Sequence, residues 1–154
     1  MQKEKFSIMI HAPREKVWQV LWGKTTYPVW TEPFGAGSRV ETDWQEGGRV
    51  LFLSGENDGM IARIAKKNDN EFMSFEHLGM IDKDGNEDFD SVKVKPWAGS
   101  REDYRLTEND GKTELEVELD VDDSYKDFFQ DSFPRALQRI KELSEDKFVY
   151  KFKP

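Results

Sequence analysis

Histidine occurs twice in the chain, as His11 and His77, and cysteine does not occur. Thiol nucleophiles, disulfide scaffolds and Cys-based zinc or iron–sulfur sites are thereby excluded. A metal site built from the histidines would need carboxylates, yet Glu76, the neighbour of His77, points to the opposite face of a strand. His77 reads either as a polar anchor or general base beside Phe75 in a cavity, or as a hydrogen-bonded strand histidine. The second is the commoner state of a histidine that lacks an orienting partner. Asp82-x-Asp84-x-Asn86-x-Asp88 begins like a calcium loop, but Glu87 stands where glycine is required and Lys93 where a bidentate glutamate is required. A solvated acidic turn accounts for it better. Gly47-Gly48 leads into a strand with no Lys-Ser/Thr pair, so it is a turn and not a phosphate loop. Ser7, Ser54, Ser74 and Ser91 lack a nucleophile-elbow context. Glu114 and Glu116 match a glycosidase dyad in number only, because an exposed strand face keeps carboxylates ordinary. No motif asks for a cofactor.

Composition narrows the partners. A chain of 154 residues is the size of one globular domain, and 13% aromatic residues supply large apolar areas to a modest core. The formal net charge of −8 disfavours nucleic acid, and an anionic membrane surface for the same reason. The opening Met-Gln-Lys-Glu-Lys-Phe lacks the apolar core of a signal peptide and no run approaches membrane-spanning length, so a cytoplasmic location is expected.

The elements that would position these residues can be read from periodicity. Phe6, Ile8 and Ile10 alternate as a strand, Pro13 opens a helix over 13–22 with Val17, Trp18, Leu21 and Trp22 on its apolar face, and a short helix follows near Tyr27 to Thr31. Strands follow over Arg39 to Trp44, Val50 to Leu53, Met60 to Ala65 and Phe72 to Leu78, an antiparallel meander. Residues 79–101 are irregular. Tyr104 and Leu106 then lead through Asn109-Asp110-Gly111 into a strand with Leu115, Val117, Leu119 and Val121 on one face and Glu114, Glu116, Glu118 and Asp120 on the other. The acidic face reads as a solubilising surface or a dock for a basic partner. A final helix carries Phe129, Phe133, Ala136, Leu137, Ile140 and Leu143 on one stripe, with a kink or a start expected at Pro134. Lys147 to Pro154 is a basic–aromatic tail or an extra strand. A curved sheet crossed by one helix leaves space that the helix cannot fill, and aromatic walls make that space apolar. Trp18, Trp30, Phe34, Phe52, Phe75, Tyr104, Phe129 and Phe133 could line such a cavity or simply fill the core.

This layout resembles the START-like (SRPBCC, birch-allergen-like helix-grip) superfamily and, within it, the activator-of-Hsp90-ATPase homologues. The likeness covers roughly residues 4–146 and rests on Ala12-Pro13-x-x-x-Val17-Trp18, Tyr27-x-x-Trp30, Gly47-Gly48, the Leu106 to Asp120 hairpin, and Phe133-x-x-x-Leu137-x-x-Ile140-Lys141. Ser132-Phe133 stands where the family often has Gly-Trp. The resemblance implies an α+β helix-grip fold, a curved antiparallel sheet of about seven strands, in one domain over the whole chain. It implies a pocket between sheet and final helix, lined here by Trp30, Phe52, Phe75, His77, Tyr104, Phe133 and Leu137. The function expected is non-enzymatic binding of a small hydrophobic, lipid-like or aromatic molecule. A chaperone-associated role on the outer surface and a cyclase- or hydrolase-like activity with a pocket base are the alternatives it implies.

Overall fold

A computed structural model describes residues 1–146; the expected tail over 147–154 lies outside the described residues. Strand β1 (Gln2–Ile10) is followed by helices α1 (Arg14–Trp22) and α2 (Tyr27–Trp30). Strands β2 (Arg39–Glu41), β3 (Arg49–Leu53), β4 (Gly59–Asn68) and β5 (Phe72–Ile81) then form the meander, with the two-residue β6 (Glu87–Asp88) after it. The hairpin of β7 (Arg101–Asn109) and β8 (Lys112–Val121) leads to the long α3 (Lys126–Ser144). The strands make one antiparallel sheet in the order β1-β8-β7-β5-β4-β3-β2, with β6 attached to β5 off that path. One face is covered by α3.

Alternation in β8 drives this arrangement. Thr113, Leu115, Val117, Leu119 and Val121 are buried while the acidic residues between them face outward. The register with β1 sets Phe6 opposite Val117 and Ile8 opposite Leu115 on the inner face, and Lys5 opposite Glu118 on the outer. Lys3 lies 2.9 Å from Asp120, and Lys5 lies 3.7 Å from both Glu116 and Glu118. Glu116, Glu118 and Asp120 of the acidic stripe are matched by the chain's own lysines.

Several elements depart from the sequence-based boundaries. β2 stops at Glu41, because Trp44 adopts a left-handed φ of 60° that no strand tolerates. β7 starts at Arg101, three residues before Tyr104. α3 starts at Lys126 and continues through Pro134 rather than starting there. Pro134 and Gln130 are both exposed, so water can serve the Gln130 carbonyl that Pro134 cannot bond. The β4–β5 pairing slips between Ile61 and Ala62, which face Gly79 and His77, leaving Leu78 as an unpaired bulge residue. Gly79 is needed for another reason: a Cβ there would lie 2.4 Å from the Asp88 carbonyl oxygen, so any side chain would push β6 away.

Under the C-terminal half of α3 the core is closed. Val17 and Leu21 of α1, Ile140 of α3, and Ile10 and Leu115 of the sheet are all inaccessible, with Leu106 and Leu137 nearly so. Trp30 Nε1 donates to the Leu21 carbonyl at 3.0 Å, which fixes α2 against α1.

Candidate functional site

Toward the N-terminal half of α3 the layers part and leave an open cavity of about 700 Å³. Its roof is aromatic. Phe129 and Phe133 of α3 pack on each other, on Phe34 and, through Phe133, on Phe6 at 4.9 Å. Edge and face contacts among these rings hold the roof together. Its floor contains a cross-strand row, Phe52 opposite Met60 opposite Met80. The bulge at Leu78 shifts the phase of β5, so that His77 and Met80 both line the cavity although they are three positions apart, which in a regular strand would put them on opposite faces.

At one end of this apolar space lies a polar cluster. Strand β7 alternates Glu102, Tyr104 and Leu106 inward, and β5 brings His77 beside Glu102. His77 Nε2 lies 3.0 Å from Glu102 Oε1, and the Tyr104 hydroxyl donates to Oε2 of the same carboxylate. Among the described residues, His77 is the ionic partner of Glu102. The Glu102 side chain is 21% exposed and is one of the residues lining the cavity. His77 Nδ1, by contrast, is sealed in the wall with no hydrogen-bond partner. Burial raises the Glu102 pKa, but the hydrogen bond and charge of His77 and the hydrogen bond from Tyr104 outweigh it, so the carboxyl sits below its ordinary value. Burial first, and the Glu102 charge second, push both Tyr27 and Tyr104 far above the usual phenol range. The cluster therefore holds one ionised carboxylate and two neutral phenols at neutral pH.

Of the seven residues expected to line the pocket, Trp30, Phe52, His77, Tyr104 and Phe133 face the cavity. Phe75 and Leu137 do not. Phe75 is fully buried and absent from the lining, enclosed by rings that include Phe52 edge-on at 5.1 Å and Trp22 edge-on at 5.4 Å. Leu137 belongs to the closed half of the core. Glu102 is the residue that sequence reasoning missed. The inward alternation of Leu106 and Tyr104, carried two residues further back, would have found it. His11 is exposed, and its backbone N–H donates to Glu145 at 2.7 Å. In the acidic turn, Asp82 accepts from the N–H groups of Asp84 and Asn86 and from the Asn86 side chain, so its oxygens are committed to the turn.

No protein-family model and no curated protein matches this chain. Solved structures do match. Protein MLL2253 from Mesorhizobium loti superposes with a TM-score of 0.70 at 13% identity, over 94% of this chain and 98% of that one. The Aha1 dimer from Colwellia psychrerythraea follows at 0.68 and 14% identity, covering 96% and 98%. The fold is a helix-grip. DynU16, described as a putative protein of the dynemicin biosynthetic locus, matches at 0.66 and 11% identity, over 99% of this chain and 48% of its own. The helix-grip places α3 across the concave face of the sheet, and the cavity occupies the gap between them. Among the described residues no helix is long and apolar enough to cross a membrane.

Proposed function

We propose that this protein binds a small, mostly apolar molecule in the cavity between the curved sheet and the N-terminal half of α3, without transforming it. One observation carries the reading: a space of about 700 Å³, within the range of small-molecule sites, is walled by Trp30, Phe34, Phe52, Phe129 and Phe133 and has a few convergent polar groups at one end. Removing an apolar ligand from water contributes about 25 cal/mol per Å² of buried area, less the cost of immobilising it. The geometry gives His77 little scope as a base, since Nε2 faces Glu102 and Nδ1 has no route to a substrate.

Fluorescence titration with N-phenyl-1-naphthylamine, an uncharged apolar probe, tests this. Saturable binding at one site per chain is expected, abolished in Phe133→Arg. Because Phe133 is buried, Met60→Arg serves as the second variant, since Met60 lies on the cavity floor and is only half-buried. Absence of saturable binding to the folded native protein contradicts the proposal.

A second reading draws on the similarity to the Aha1 dimer: a chaperone-associated role for the outer surface. Glu116, Glu118 and Asp120 of its acidic stripe are already paired with Lys3 and Lys5, which leaves less charge for a basic partner. Recovery of an Hsp90 in a pull-down, lost on charge reversal over Glu114 to Asp120, would support this reading.

A further inference from the structure

The cavity is not a uniform apolar bowl, because one carboxylate is exposed inside it. Glu102 accepts from His77 and Tyr104, which occupies two of the roughly four lone-pair positions of a carboxylate. The cationic residues on the cavity lining are Arg101 and Lys93, and neither is hydrogen-bonded to Glu102. Arg101 Nη1 turns to Ser74 Oγ at 3.3 Å, its N–H bonds Asp120 at 2.8 Å, and Lys93 is exposed. The hydroxyl of Tyr104 is already donated to Glu102, so it offers no donor to an anionic ligand. An incoming carboxylate would meet the Glu102 carboxylate, whereas Asp120 on the same lining is already paired with Lys3. An incoming donor would meet an acceptor in a ring-lined space, where a charge-assisted hydrogen bond is stronger than in bulk water. Trp30, Phe52 and Tyr104 line the same space, and aromatic rings attract a cation placed over them.

We infer that Glu102 anchors the ligand's head group and that the cavity takes hydrophobic amines, an apolar body carrying one protonated nitrogen, in preference to hydrophobic carboxylates. This rests on the ligand-binding reading above and specifies its chemistry. His77 is then a positioning residue: its Nε2 holds Glu102 against the wall and it does not touch the ligand through Nδ1.

The test compares 1-pyrenemethylamine, 1-pyrenemethanol and 1-pyrenecarboxylate, which share one apolar body, by pyrene fluorescence at moderate salt. The native protein should bind the amine about tenfold more tightly than the alcohol, and the carboxylate most weakly. In Glu102→Gln, which keeps the side-chain shape, the amine and the alcohol should bind within about threefold of each other, with the alcohol itself little changed. Equal binding of all three probes by the native protein overturns the head-group assignment and leaves the cavity reading standing. An amine preference that survives in Glu102→Gln also overturns it, by assigning the preference to the chain's overall negative charge. Binding of none of the three overturns both. The ranking in the native protein stands even if the variant fails to fold.

Discussion

The two halves of α3 cover the same sheet with opposite results. Beyond Pro134 the helix presents Ala136, Leu137 and Ile140 to α1 and to Ile10 and Leu115, and the space closes completely. Before Pro134 it presents Phe129 and Phe133, whose rings pack on Phe34 and, at the β1 edge of the sheet, on Phe6, and a cavity remains beside them. Branched aliphatic side chains interdigitate with a pleated surface, whereas rings that satisfy one another's edges and faces bridge a gap. The helix-grip therefore does not impose a cavity along its whole length. The residue types on the helix decide where it opens.

The largest effect that separates the halves should come from Ile140→Ala. Ile140 is inaccessible, and its truncation should cost about 2–5 kcal/mol in urea denaturation while leaving the affinity for N-phenyl-1-naphthylamine nearly unchanged. Met80→Ala, on the cavity floor and 39% exposed, should do the reverse, costing about 1 kcal/mol or less while weakening the probe. A large stability loss in the second variant would mean that the floor is packed after all. Pro134 marks the boundary between the halves, and Pro134→Ala should restore a hydrogen bond at an exposed site and raise stability by about 1 kcal/mol or more. Unchanged or lower stability would show that the helix depends on the proline where its two halves meet.

Titration behaviour distinguishes the regions as well, because the cavity end holds the ionised carboxylate. Glu102 has a folded pKa below its reference of 4.5, so the stability it contributes is present above that value and is lost as pH falls through the lower folded one. The acid limb of the stability curve should flatten in Glu102→Gln relative to the native protein. Tyr104 works in the opposite sense. Its folded pKa lies well above 10.0, so its contribution is complete below that reference and is lost only as pH rises toward the folded value. The smallest effect belongs to the outer surface. Lys5→Ala removes pairs in which the lysine is 58% exposed, and should cost about 0.2–1 kcal/mol and respond to salt.

Much of the frame was legible because alternation and helical spacing are strong in β1, β8, α1 and α3. The Asn109-Asp110-Gly111 turn marked the hairpin, and both Asp110 and Gly111 take the positive φ such turns need. The cavity wall was legible in part. Trp30, Phe52, His77, Tyr104 and Phe133 lie on it, whereas Phe75 and Leu137 are apolar residues of the right type on the right elements that packing encloses. That distinction depends on which side chain stands in front, and spacing along a strand does not contain it. The inward position of Met80 was unreadable for another reason, because a one-residue bulge reverses the faces of everything after it. Glu102 was readable and was passed over, hidden in the charged run Arg101-Glu102-Asp103 at the start of β7.

The methionines offer the most direct test, since they sample every environment at issue: Met60 and Met80 on the cavity floor, Met73 in the closed core and Met9 exposed on the outer face. With 13C-labelled methionine methyls, titration with N-phenyl-1-naphthylamine should shift Met60 and Met80 saturably and leave Met73 and Met9 in place. Shifts confined to Met9, or none at any methyl, would contradict the claim that the cavity is where this protein binds its ligand.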